Sequence, residues 1–424
     1  MSESTLVIGA GPAGLATAQA FAAAGLPFEI VERHTDVGGI WDLENPGTPM
    51  YESAHFISSK TRSGFIDFPM PDHYPDYPGR AQILDYIRAY ADHTKLRGAV
   101  RFGTEVVAAI PAGDGWTVTA SDGTTGRYRS IVVANGHQWI PNRPEIPGSF
   151  TGHVVHSQEY SSIDELRGRR VLVVGGGNSG VDIACDAAVS ATTAAISLRR
   201  GYWFIPKHIF GMPSDVFAHE GPHLPVGVQQ WAFARMLNLL VGKPEKFGLP
   251  RPDHKLFETH PILNDQIFHH LSHGDLTVRP DVARFDGPDV VFVDGTREEF
   301  DLVVLATGYR VGAPFLDRAI LAEPPDLFLN IAHRTQDGLY FVGIFEVAGA
   351  AYELMGHQAS LVAAMERRRA AGTRGADRVR AVRCERPDIV GPVHYVNSTR
   401  HDIYVDADEY PKVLARYRER VEAG

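Results

Sequence analysis

Cysteine is scarce here: the 424 residues include two, Cys185 and Cys384, far apart and without a C-x-x-C. Neither a disulfide framework nor a dithiol redox centre can be built from such a pair, and a reducing, cytoplasmic setting is expected. Long apolar runs are missing as well. The longest, Trp231 to Val241 and Phe341 to Met355, are too short to span a bilayer or carry Arg235, Glu346 and Glu353, so no membrane partner is expected. The first strand-like run begins by about Thr5, so no secretory leader is expected. Positive charge is not in excess: 41 Lys and Arg stand against 51 Asp and Glu, a net charge of -10. That balance gives no electrostatic footprint for nucleic acid or an anionic membrane. No low-complexity tract, catalytic triad or paired-carboxylate pattern stands out.

What the chain does have is two glycine-rich turns of one kind, GAGPAG at Gly9 to Gly14 and GGGNSG at Gly175 to Gly180, each after an apolar run. In G-x-G-x-x-G the first glycine makes a tight turn and the second lets backbone approach a pyrophosphate. The third lets the helix pack closely on its strand, whose neighbouring helix N-terminus offers free N–H groups to phosphate. At the first turn, Thr5 to Ile8 reads as a buried strand, Leu15 to Ala24 as an alanine-rich helix and Phe28 to Glu32 as the next strand. Glu32 ends it about 20 residues after the turn, where a carboxylate accepts ribose hydroxyls. At the second turn the strand Ala195 to Leu198 ends in Arg199-Arg200. Guanidinium forks bind a 2′-phosphate that a carboxylate would repel. The two sites therefore ask for different dinucleotides: FAD at the first and NADPH at the second.

Alternating strand and helix patterns point to an α/β protein with parallel sheets, built as two Rossmann-like dinucleotide-binding domains. The expected organisation puts the opening portion of an FAD-binding domain at 1–160. An inserted NADPH-binding domain follows at 161–300, interrupted by a helical insertion at about 201–275, where the strand–helix rhythm breaks for longer than a plain loop allows. The closing portion of the FAD-binding domain and a C-terminal segment occupy 301–424, with Asp301 to Gly308 read as a strand returning the chain to the first domain. The crossings fall at Ala134-Asn135-Gly136 and Ala306-Thr307-Gly308. Ligands of such sheets bind at the carboxyl ends of the strands, which places the reaction between the domains.

Phe150-x-Gly152-x-x-x-His156-Ser157-x-x-Tyr160 lies just upstream of the second turn and resembles the F-x-G-x-x-x-H-x-x-x-[YF] fingerprint of flavin-containing monooxygenases. With both glycine turns, Gly38-Gly39-x-Trp41 and Ala306-Thr307-Gly308-Tyr309, the resemblance spans about Thr5 to Tyr309. His401 to Asp406 extends it weakly. The resemblance implies that NADPH reduces FAD, that O₂ adds at the flavin C4a position, and that the hydroperoxide passes oxygen to a soft nitrogen or sulfur. A small amine, hydroxylamine or thioether is the implied substrate. Baeyer–Villiger oxygenation of a ketone is the alternative within the enzymes, although Tyr160 favours heteroatom oxidation. A non-oxygenating NADPH sensor or oxidase is the alternative outside them. The residues expected at FAD are Gly9, Gly11, Gly14, Glu32, Gly39 and Trp41, and those expected at NADPH are Gly175, Gly177, Asn178, Ser179, Gly180, Arg199 and Arg200. Pro12, Ala13, Arg33, Val107, Asn135, Gly136, Thr307 and Gly308 are further expected cofactor contacts. His156 is expected to position the linker rather than to move a proton, and a homodimer is an open possibility.

One position departs from the family. Its members carry an Asn beside the flavin about ten residues before an Asp-[FY]-Pro motif, and counting back from Asp67-Phe68-Pro69 lands on Ile57. Ser58 or Ser59 is therefore the candidate catalytic contact. The histidines His254, His260, His269, His270 and His273 lack an H-E-x-x-H arrangement, and no metal is expected. Tyr202, Trp203, Phe204 and Lys207 either line the cleft or pack the insertion.

Overall fold

The computed structural model describes residues 4–221, 225–321, 325–393, 395–396 and 401–423. Two parallel sheets organise these residues, and each contains one of the glycine-rich units. In the first, β1 (Thr5–Ile8) leads into α1 (Pro12–Ala23) and returns as β2 (Phe28–Val31). After α2 (Arg80–His93), β3 (Val100–Arg101) joins the edge beyond β2. A separate antiparallel sheet of β4 (Val106–Ala112), β5 (Gly115–Ala120) and β6 (Thr125–Tyr128) follows. The chain then re-enters the first sheet as β7 (Ser130–Val133), on the other side of β1. Strands Leu327–Phe328, Ala332–His333 and Leu339–Phe341 complete it. Every residue of β1 and β7 is buried, because α1 packs on one face of this sheet (Val7 and Val132 with Leu15 and Phe21) and β4–β6 on the other (Ile8 and Val133 with Trp116 and Val118). On α1, Leu15 and Phe21 are fully buried, each contributing roughly 1.5–3 kcal/mol.

The chain leaves the first sheet through β8 (Ile140–Pro141) and β9 (Gly148–Phe150). The second sheet contains β10 (His153–His156), β11 (Arg170–Val174) and β12 (Thr193–Ser197), with α3 (Asn178–Ser190) between the last two. Thr277–Arg279 extends its edge, and Leu302–Leu305 lies between β10 and β11, parallel to both. This corrects the reading of Asp301 to Gly308. The strand there is interior to the second sheet, and the chain turns back toward the first only afterwards. β10 likewise belongs to the second sheet although it precedes residue 161. An all-apolar strand is suited to any buried place in a parallel sheet, so its composition does not say which sheet takes it. After Leu302–Leu305 the returning strand Tyr309–Arg310 pairs antiparallel with β8, so the two crossings run side by side.

Between β12 and Thr277 the insertion carries α4 (Ser214–Glu220), α5 (Val226–Leu240) and α6 (Gln266–His273). The C-terminal part adds α7 (Ala351–Ala370), α8 (Thr373–Arg383) and α9 (Glu409–Glu422), and α7 packs against α1. Glu366 of α7 is buried because its carboxylate accepts from Ser130 Oγ at 2.6 Å and Tyr340 Oη at 2.8 Å, tying the helix to the sheet. On α9, Val413, Leu414, Tyr417 and Val421 form the buried stripe. Among the described residues no helix is long and apolar enough to cross a membrane.

Candidate functional site

The two glycine turns are built alike. A Cβ on Gly9 would stand 2.6 Å from the Ala134 carbonyl oxygen, and one on Gly175 would stand 2.4 Å from that of Ala306. Both have positive φ, +107° and +117°. A Cβ on Gly14 would meet Gly9 O at 1.8 Å, and one on Gly180 would meet Gly175 O at 2.2 Å. The outer glycines are thus required by the turn and by helix packing whether or not anything binds. The middle glycines differ. A Cβ on Gly177 would meet nothing within 4 Å, and one on Gly11 only the backbone of Gly39 at 3.3 Å. Each middle glycine is the N-cap of its helix, α1 or α3, and neither helix has a side-chain cap. Two helix N-termini therefore keep their first N–H groups for an acceptor outside the chain.

Around the first turn, Pro12 and Ala13 form the opening turn of α1, and Ala13 abuts Gly343. Glu32 is buried at the end of β2, where Oε2 accepts from the Ala10 amide at 2.7 Å and Oε1 from the His34 amide at 2.9 Å. A carboxylate oxygen accepts more than one donor, so this carboxylate is fixed beside the turn with acceptor capacity left. Arg33 lies with its guanidinium 4.1 Å from the centre of the Trp139 ring, and Trp139 also touches Gly136. Asn135 donates to Gly312 O at 3.0 Å, while its Oδ1 is buried without a protein partner. Trp41 is buried against Phe56 with ring centres 5.2 Å apart, and Phe56 meets Tyr352 at 5.5 Å. Val107 stands apart from this cluster. It sits at a bulge of β4 in the antiparallel sheet with its side chain 49% exposed.

Around the second turn, Asn178 is used by the protein: its Nδ2 donates to Pro261 O at 3.2 Å and its Oδ1 accepts from Leu263 N at 2.9 Å. It anchors the insertion to the start of α3, and Ser179 follows it in that first turn. Arg199 is exposed and Arg200 half-buried, and neither has an ion-pair partner among the described residues. Arg200 Nε is buried and unpartnered, and its guanidinium lies 5.5 Å from the centre of the Tyr202 ring. That ring rests on Gly176, so Tyr202 borders the turn. Trp203 instead donates to His254 O at 3.0 Å, and Phe204 is buried, so both pack the insertion. Thr307 and Gly308 follow Ala306 at the turn, as Asn135 and Gly136 follow Ala134.

His156 is fully buried where the second crossing passes β10. Its Nε2 faces Gly308 O at 3.1 Å and its Nδ1 accepts from Gln158 N at 3.2 Å. Burial, with help from Arg143, lowers its pKa below the usual imidazole value. With both nitrogens engaged, the ring ties β10 to the crossing.

Ser58 and Ser59 are both buried. Ser63 Oγ donates to Ser58 Oγ at 2.7 Å, whereas Ser59 Oγ has no partner among the described residues. The Ser59 amide donates to Asp215 of α4 at 2.7 Å. Sequence reasoning missed Asp215, and also a polar seam along α3. There Tyr51 Oη donates to Asp182 at 3.1 Å, and Ser53 Oγ and Tyr160 Oη donate to Asp186 Oδ2 at 2.6 and 2.8 Å. Asp182 and Asp186 stand four residues apart on one helix face, which was the only available signal. Burial raises the Asp182 carboxyl above the usual carboxylate range. A cavity of about 520 Å³ lies elsewhere, walled by Trp203, Trp231, Lys243, Arg251 and other insertion residues, and shares no residue with either turn. Cys185 is buried, which pushes its thiol up to about 12, and Cys384 is exposed. Among the described residues no group of three or more His, Cys, Asp or Glu side chains could hold a metal ion.

The family model for flavin-binding monooxygenase-like proteins matches residues 3–363. The chain belongs to that family. It is 30% identical over 381 residues to the N-oxide-forming dimethylaniline monooxygenase 2 of Macaca mulatta, an alignment covering 83% of this chain and 71% of that one. Among solved structures it resembles a flavin-containing monooxygenase from Stenotrophomonas maltophilia (TM-score 0.68, 22% identity, 86% of this chain and 99% of that one). It also resembles cyclohexanone monooxygenase bound to ε-caprolactone (TM-score 0.76, 17% identity, 99% and 98%). As a member of the flavin-binding monooxygenase family, the protein is an oxidoreductase of FAD and NADPH. Three features fit the two groups: the uncapped helix ends behind Gly11 and Gly177, the fixed carboxylate of Glu32 and the unpaired guanidinium groups of Arg199 and Arg200.

Proposed function

We propose that this family member uses NADPH and O₂ to oxygenate a soft nitrogen or sulfur centre of a small amine, hydroxylamine or thioether. The observation that carries the dinucleotide assignment is the contrast between the two turns: Glu32 is pinned at one and unpaired arginines stand at the other. In this reading Gly9 to Gly14, Glu32, Gly39, Trp41, Val107, Asn135 and Gly136 hold FAD. Gly175 to Gly180, Arg199, Arg200, Thr307 and Gly308 hold NADPH.

Bound FAD supplies the reaction with a two-electron acceptor for NADPH and a site of O₂ activation, one oxygen atom going to substrate and the other to water. The chain's own work is to orient and shield. The middle glycines admit the pyrophosphates, and His156 holds the crossing between the sheets. Trp41, Phe56 and Tyr352 exclude water with three contiguous rings. Ser58 and Ser59 take the place of the family's Asn, and Ser59, whose buried hydroxyl is unpartnered, is the better placed of the two. Heteroatom oxygenation rests on Tyr160 and on the named activity of the dimethylaniline monooxygenase relative. Product analysis tests it: N- or S-oxides from amines and thioethers are expected, and an ester from a ketone as the sole product would establish the Baeyer–Villiger alternative.

A further inference from the structure

The insertion touches the loop that carries Ser58 and Ser59 at three places. Tyr77 Oη donates to the Lys207 carbonyl and accepts from the Ser214 amide at 3.2 Å. His208 Nε2 meets Asp76 Oδ2 at 2.9 Å. At the third place, Asp215 Oδ2 accepts from the Ser59 amide at 2.7 Å, while its Oδ1 accepts from the Val216 amide at 2.9 Å. Only this last contact reaches the serine pair. It lies at the start of α7 as well, since a Cβ on Gly349 would stand 4.0 Å from Asp215 Oδ2. One carboxylate from the insertion thus sits where the serine loop and the entrance to α7 converge.

We propose that Asp215 is a positioning residue for oxygen transfer: it fixes the Ser59 backbone so that the buried Ser59 hydroxyl stays aimed at the reacting end of the flavin. The proposal rests on the reading of Ser59 as the substitute for the missing Asn. A hydrogen bond from a buried amide to a carboxylate is charge-assisted, and its loss leaves the amide unsatisfied and the loop free to turn. Because the Ser59 backbone is held from the inserted segment, oxygen transfer is efficient only while the insertion is docked.

The test compares holoenzymes of Asp215→Ala, Asp215→Asn, Ser59→Ala and the double variant Asp215→Ala/Ser59→Ala. Two readouts are taken: the ratio of H₂O₂ released to NADPH oxidised with thioanisole as substrate, and the melting temperature. The expected result is a roughly tenfold rise in the H₂O₂ ratio for both alanine single variants and no further rise in the double variant. Asp215→Asn keeps an acceptor oxygen and should restore most of the coupling. A lower melting temperature for Asp215→Ala with an unchanged ratio would overturn the proposal and leave the Ser59 reading standing. A rise with Asp215→Ala but none with Ser59→Ala would overturn both. Additive rises in the double variant would overturn the link between the two residues.

Discussion

The Nε2–H of His156 donates to the carbonyl oxygen of Gly308 over 3.1 Å, locking β10 to the crossing that returns the chain to the first sheet. Burial lowers the folded-state pKa of this imidazole, so the unfolded chain binds the proton more readily than the folded one. Stability from this group is therefore fully present above the unfolded value of about 6.5 and lost as pH falls through the lower folded value. The melting temperature of the wild-type holoenzyme should fall on that acid side. His156→Gln, which still offers a donor to Gly308, should flatten part of the decline, while the pH profile of kcat/KM should carry no limb that this substitution removes.

The glycines of the second turn divide into two kinds, and alanine separates them. Gly180→Ala drives a Cβ to 2.2 Å from a backbone oxygen and should unfold or strongly destabilise the protein. Gly177→Ala meets nothing within 4 Å at an ordinary φ of −72°, so its stability cost should stay within about 1 kcal/mol, that of an altered N-cap. Its KM for NADPH should nevertheless rise at least tenfold, because the methyl occupies the pyrophosphate's approach. Thermal melts and steady-state kinetics on the two variants check this.

Arg199→Ala/Arg200→Ala removes two guanidinium groups that have no ion-pair partner among the described residues. The KM for NADPH should rise roughly ten- to a hundredfold while that for NADH changes little, since charge-assisted bonds to a phosphate are lost from one cofactor only. Equal effects on both cofactors would remove the 2′-phosphate assignment.

Ser59→Ala should raise H₂O₂ release during NADPH oxidation more than Ser58→Ala, because the Ser58 hydroxyl is already engaged by Ser63. Colorimetric peroxide measured against NADPH consumption gives the comparison. Unchanged coupling in both variants would show that this loop only packs.

The build of the two glycine-turn units is legible in the sequence because its physics is local. A glycine turn, the strand before it, the helix after it and the residue ending the next strand all lie within about 30 residues. That is why Gly9 to Gly14 with Glu32, and Gly175 to Gly180 with Arg199 and Arg200, could be read directly. Leu302–Leu305 was instead misplaced as the returning strand, since four buried apolar residues carry no label for the sheet they join. Asp215, Asp182 and Asp186 were equally hidden. Their partners Ser59, Tyr51, Ser53 and, for Asp186, also Tyr160 are distant in sequence or on another element, and an acidic residue on a helix reads as solvated surface until the fold buries it.

The central claim is that one chain carries electrons from NADPH to a flavin and oxygen from that flavin to a nucleophile. The most direct test is to reduce the holoenzyme anaerobically with NADPH, mix it with aerated buffer and follow the flavin spectrum. A transient distinct from both oxidised and reduced flavin, discharged on adding a small amine or thioether with formation of its oxide, is the predicted result. Direct return to oxidised flavin with stoichiometric H₂O₂, unaffected by either substrate, would contradict it.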